Sequence, residues 1–227
     1  MKGSLNFDRL TGSSLYRHGI AEKFRDSAFS LRDLRTITVT GLLMAMAVAL
    51  RSVGIDVTPD LRIVFTCIPL CIIGMLYGPV VCGMSVFAVD LIGYVIANRS
   101  PRGYMPQLIP VEILTGVIYG LILYKRVLRP HSSDFFRAAA ARLGAVVICN
   151  ICLRSVILYV SFTNPDFSLL CFVNGDTAMR DAFLIWVSPR VIKNLFQYPV
   201  DIFLLCAALP AAQTAYNLTK RGKAVNG

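Results

Sequence analysis

The sequence predicts an all-α integral membrane protein with six transmembrane helices and both termini in the cytoplasm. Three observations carry that expectation. Of the 227 residues, 56% are apolar and 16% charged, whereas about a quarter of the residues in an ordinary soluble domain are charged. The apolar residues are gathered in six blocks near the ~20 residues that cross a bilayer as a helix: 36–53, 62–77, 79–97, 107–125, 142–162 and 188–210. Lys and Arg are also unevenly placed. Seven precede residue 36, five lie in 125–142 and three follow 219, against Arg99, Arg102 and Arg180 in the alternate connections. Segments rich in Lys and Arg stay inside. The bias therefore gives a multi-pass protein of the plasma membrane, and it accounts for the net charge of +10 without nucleic acid as a partner.

Residues 1–35 form a basic amphipathic segment. Tyr16, Ile20, Phe24, Ala28 and Leu31 recur at helical spacing with Arg17, Lys23, Arg25 and Arg32 between them, which suits a helix lying on the inner leaflet. The stretch has neither a short apolar core nor a small-residue cleavage site, so no removable signal is expected. A six-helix domain over 36–210 follows, then a cytoplasmic tail at 211–227.

The first span carries Ala45 and Ala49 on one face, a small-x-x-x-small pair of the kind that lets helices approach closely in lipid. The second is short and suits the inside of the bundle. It meets the third at Tyr77-Gly78-Pro79, where Gly stops one helix and Pro starts the next. Gly116 and Gly120 on the fourth span repeat the small-residue spacing and suit internal packing. Connections 54–61, 98–106 and 163–187 lie on the outer side, the last with a turn at 174–175, and could roof a pocket. The seven cysteines lie mostly in apolar helices. Cys149-x-x-Cys152 lacks the further His or Cys of a metal site, so they read as packing.

Charges inside apolar spans are costly and point to function. Arg51, Arg62, Arg154, Arg190 and Lys193 are the cations; Asp90, Glu112 and Asp201 are the acids. Ser188-Pro189 reads as the start of the last span, Ser as N-cap and Pro at the first helical position. Arg190, Lys193, Asn194 and Gln197 then descend one face. Cations beside a positive helix end oppose the dipole, and an anionic ligand, carboxylate or phosphate, would resolve that conflict. Internal salt bridges to Asp90 or Glu112 are the alternative. Three further polar stripes share helix faces: Phe87, Asp90 and Tyr94; Glu112, Thr115 and Tyr119; Asn150 and Arg154. A carboxylate beside aromatic rings can bond the amino and ring N–H groups of a heterocycle.

These residues resemble the folate-specific substrate-binding subunit, or S component, of energy-coupling factor (ECF) vitamin transporters. The likeness covers roughly 24–210. It rests on Leu42–Arg51, Thr58-Pro59-x-Leu61-Arg62-Ile63 through Ile68-Pro69 and Gly78-Pro79, and Asp90-Leu91-Ile92-Gly93. Leu114-Thr115-Gly116-x-x-Tyr119-Gly120 and Arg190-x-x-Lys193-Asn194 before Pro199 complete it. Glu112 and the basic Asn98–Arg102 loop depart from the family pattern. The resemblance implies the six-helix S-component fold with an outward pocket, and folate or a related vitamin as ligand near Arg51, Arg190 and Lys193. It also implies a partner module of one transmembrane coupling subunit and two ATPase subunits, met through Ala45 and Ala49. No cofactor or metal is expected. The chain has no G-x-x-x-x-G-K-[ST] phosphate loop, so the energy for transport comes from the partners. An intramembrane enzyme is disfavoured, because His18 and His131 lie in cytoplasmic segments and no G-x-S-x-G is present.

Overall fold

The computed structural model describes residues 19–58, 61–97, 104–124, 132–163 and 177–225. Apart from one small hairpin, the regular structure is helical. Helix α1 spans Ile20–Ser30 and α2 spans Leu34–Ser52. Strands β1 (Ile55–Thr58) and β2 (Leu61–Ile63) pair antiparallel, with Asp56 opposite Arg62. Then come α3 (Cys67–Tyr77), α4 (Pro79–Ala97) and, after a short 3₁₀ turn at Pro106–Leu108, α5 (Ile109–Leu123). Helix α6 (Ser132–Gly144) runs through a nine-residue π-helical stretch, Ala145–Leu153, into α7 (Arg154–Phe162). Helix α8 is 49 residues long, Thr177–Val225.

Among the described residues, five helical segments are long and apolar enough to cross a membrane, and α3 is a sixth, shorter apolar helix. The packing is that of a protein surrounded by lipid. Leu42, Val95, Ile96, Leu195, Phe196 and Phe203 are strongly exposed, while Arg190, Asn194, Gln197 and Asp201 are buried. Lipid solvates apolar side chains as well as a core does, so the polar groups turn inward to find partners. Helix α3 sits at the centre, with nine of its eleven residues buried.

Close backbone approach sets the centre of the bundle. A Cβ at Gly120 would lie 2.3 Å from Pro79 Cα, and one at Gly116 would lie 2.9 Å from Gly83 Cα. The Gly116/Gly120 pair therefore packs α5 against α4 and the α3–α4 turn, the internal role expected of it. That turn holds Gly78 at φ +89, a conformation open to glycine and strained for other residues.

Two expectations need correction. The second span does not begin at 62: Leu61–Ile63 pair in a hairpin, and the helix starts at Cys67. An apolar run alone does not distinguish strand from helix, and β-branched Ile63 favours the strand. The last span does not begin at Ser188-Pro189, which lie inside α8. Pro189 has no N–H for the Ile185 carbonyl four residues back, and Ser188 Oγ donates to that carbonyl at 2.8 Å. The serine thus supplies the missing bond and the helix continues. Its polar face therefore has no helix N-terminus to set up a dipole field.

Helix α1 is fastened to the bundle. Ser27 is fully buried, and its Oγ accepts from Val80 N at 3.0 Å and Val81 N at 3.2 Å, two amide groups the first turn of α4 leaves without partners of its own. Lys23 Nζ donates to Leu121 O, 2.9 Å away, in the last turn of α5. One short helix closes the start of α4 and the end of α5. Residues 211–225 continue α8, and Tyr216 packs edge-on against Tyr77 with Arg35 over its ring.

Candidate functional site

At the end of the bundle away from α1, where the hairpin lies, the intramembrane charges meet. Arg51, in the last turn of α2, donates from Nη1 to Asp90 Oδ1 of α4 at 2.9 Å. Arg154, the first residue of α7, reaches Glu112 Oε1 in the first turn of α5 at 2.6 Å. Both acids thus pair with cations from other helices, Asp90 with Arg51 and Glu112 with Arg154.

Helix α8 supplies the rest. Arg190 is buried with its guanidinium 4.4 Å from the centre of the Trp186 ring, in cation–π contact. Asn194 Nδ2 donates to Arg190 O at 2.8 Å and Asn194 Oδ1 accepts from Asn150 Nδ2 at 3.0 Å. The π-helical stretch, which carries Asn150, is the kind of irregularity often found at functional sites. Lys193 lies within the electrostatic reach of Arg154, Arg142, Asp201 and Arg190. Gln197 Nε2 donates to Val64 O at 2.9 Å, tying α8 to the segment after the hairpin. Asn194 and Gln197 therefore serve as struts of the site. Thr115 Oγ1 bonds back to Val111 O within α5.

Other assignments sort differently. Arg62 lies in β2, in register with Asp56. Tyr119 is buried on the α1 side of the site, where its hydroxyl accepts from Arg142. Arg142, placed by its sequence position in a basic loop, is instead partly buried in α6 and bound to Asp201 of α8 at 2.6 Å. Ala45 and Ala49 are exposed on α2. The 174–175 turn, Arg99 and Arg102 fall outside the described residues; Arg180 belongs to α8, beside Asp181.

The family model for ECF transporter, substrate-specific component, matches residues 35–209. The chain belongs to that family. It is thus a multi-pass plasma-membrane subunit that binds a substrate rather than an enzyme, and it works with an ATPase-containing partner module. The folate transporter FolT of Leuconostoc mesenteroides is 26% identical to this S component over 179 residues, 78% of this chain and 86% of that one. A crystal structure of FolT bound with folic acid aligns at TM-score 0.58 and 26% identity, covering 75% of this chain and 89% of that one.

Sequence reasoning about this S component missed one residue at the site. Tyr104, just before the 3₁₀ turn into α5, places its ring 4.8 Å from that of Tyr94 of α4, centre to centre. It stands in a connection without periodicity, and its only signal was an aromatic residue two positions before a helix-starting Pro106.

Proposed function

We propose that this S component captures folate in a pocket at the hairpin end and delivers it for ATP-driven import. The observation that carries the reading is the gathering at that end, among the described residues, of the cations Arg51, Arg154, Arg190 and Lys193, with Asp90 and Glu112 held by Arg51 and Arg154 and the nearby Asp201 held by Arg142. A surplus of cations in a low-dielectric setting favours an anion, and the glutamate tail of folate carries two carboxylates. Arg190 and Lys193 take that tail, with Arg154 beside them. Asp90 and the neighbouring tyrosines suit a flat heterocycle bearing N–H donors. The likeness to FolT bound with folic acid supports the same ligand.

The reading includes six spans, α3 among them, with both termini cytoplasmic and the pocket opening outward. The surface bearing Ala45 and Ala49 faces the coupling subunit. The chain's single tryptophan gives the test. Trp186 lies against Arg190, so a carboxylate arriving at that guanidinium changes the indole environment. Titration of purified, ligand-stripped protein with folate, followed by Trp186 emission and by calorimetry, is expected to show saturable one-to-one binding. Arg190→Ala or Lys193→Ala weakens it about tenfold, the loss of one charge-assisted hydrogen bond. A folded protein that binds neither folate nor its reduced forms overturns the reading.

A further inference from the structure

The Tyr104 hydroxyl is shielded from solvent and has no hydrogen-bond partner among the described residues. Such a group is destabilising unless something bonds it. Its surroundings are built with care. Tyr104 and Tyr94 form a tilted aromatic pair, 50° between ring planes. Asp90 stands one helical turn before Tyr94 on the same face of α4, with Oδ1 bound to Arg51. Arg51 in turn lies flat on Gly93: a Cβ there would come within 2.7 Å of its Cδ and 3.1 Å of its Nε. Arginine, carboxylate and both rings therefore hold one geometry, in which Asp90 Oδ1 is committed to Arg51 and Oδ2 makes no hydrogen bond among the described residues. Burial first, and then the Asp90 charge, push the Tyr104 phenol above its ordinary value, while Arg51 acts in the opposite sense. Tyr104 stays a neutral hydroxyl that can both donate and accept.

We propose that Tyr104, with Tyr94 and Asp90, forms the subsite for the planar head of the ligand, and that the Tyr104 hydroxyl reads the polar edge of that ring system. This deepens the folate reading and rests on it. An apolar ring would satisfy the tyrosine faces but leave the hydroxyl orphaned. A fused heterocycle with alternating N–H donors and ring acceptors gives the hydroxyl its partner and offers Asp90 Oδ2 an N–H. The structure thereby divides the labour. The α4–Tyr104 corner selects the head, and the α8 cations hold the acidic tail.

The test dissects the ligand. Wild type and Tyr104→Phe are titrated calorimetrically with folic acid, with pteroic acid, which keeps the head and lacks the glutamate, and with p-aminobenzoylglutamate, which keeps the tail and lacks the head. Tyr104→Phe keeps the ring and removes only the hydroxyl. The expected result is about tenfold weaker binding of folic and pteroic acids, with p-aminobenzoylglutamate unchanged. Equal affinity of wild type and variant for folic acid overturns the proposal, and so does a matching loss for p-aminobenzoylglutamate. Tyr94→Leu, removing the stacking partner, is expected to weaken the two head-bearing compounds alone as well. If wild type binds none of the three, the folate reading itself fails; if wild type binds and Tyr104→Phe is silent, only the subsite does.

Discussion

Arg142 and Asp201 hold each other through two contacts to a single oxygen: Nη2 lies 2.6 Å and Nε 2.9 Å from Asp201 Oδ2. Asp201 is fully buried, and Arg142 Nη1 also donates to Tyr119 Oη at 2.9 Å. The cluster joins α5, α6 and α8, with the Asp201 side chain fully buried and that of Arg142 largely so. Removing one charge strands the other in a medium that solvates it poorly. Asp201→Ala is expected to cost about 3–5 kcal/mol, read as a large fall in melting temperature in detergent. The double variant Arg142→Met/Asp201→Leu should recover most of that loss, because neither charge is left alone. A single variant that melts with the wild type would show the pair to be dispensable.

This pair marks the limit of what the sequence discloses. The apolar blocks were legible because a bilayer demands length and hydropathy, which are local properties. The acids Asp90 and Glu112 and the basic residues Arg51 and Arg154 stood out for the same reason. Who pairs with whom was not legible: Arg142 lies 59 residues from Asp201, and at the edge of an apolar block it counts as a loop residue. The start of α8 was hidden by a local device, since Ser188-Pro189 has the composition of an N-cap and the serine instead repairs the proline's missing bond. Tyr104 was missed because its value lies in neighbours supplied by α4.

The contact of Ser27 with the start of α4 yields a second prediction. Ser27→Ala leaves Val80 N and Val81 N without their acceptor, as the loss of an N-cap would, and should cost about 1–2 kcal/mol. Gly78→Ala should cost more. Its new Cβ would stand 2.9 Å from Ser27 Cβ at a φ of +89, combining a clash with backbone strain. Thermal melts of both variants check the order. If Gly78→Ala is the milder, the turn relaxes away from α1.

Glu112 and Arg154 give a third. In this structure the carboxylate holds the guanidinium at 2.6 Å, so a ligand carboxylate arriving at Arg154 competes with Glu112. Glu112→Gln keeps the shape and removes the competitor, and folate binding should tighten about three- to tenfold. Arg154→Gln should weaken it about tenfold. Calorimetry separates the cases: a Glu112→Gln variant that binds more weakly would mean that Glu112 contacts the ligand itself.

The last prediction concerns the exposed face of α2. Ala45 and Ala49 lie one turn apart and exposed, and a Cβ added at Gly41, one turn earlier, meets nothing within 4 Å. The chain thus offers a shallow track that its own helices do not fill. Small residues at this spacing let a partner helix approach closely in lipid, where close packing replaces the hydrophobic effect as the source of affinity. Leucine at both positions would fill the track without touching the ligand site, because Ala45 and Ala49 point away from the interior that Ala47 and Val48 enter. Folate binding by the isolated Ala45→Leu/Ala49→Leu protein should therefore equal the wild type, while ATP-driven uptake in vesicles with the partner module should fall about tenfold or more, a loss of roughly 1.4 kcal/mol in productive association. Equal loss in both assays would assign the face to the fold. Undiminished uptake would move the partner's contact elsewhere on the bundle.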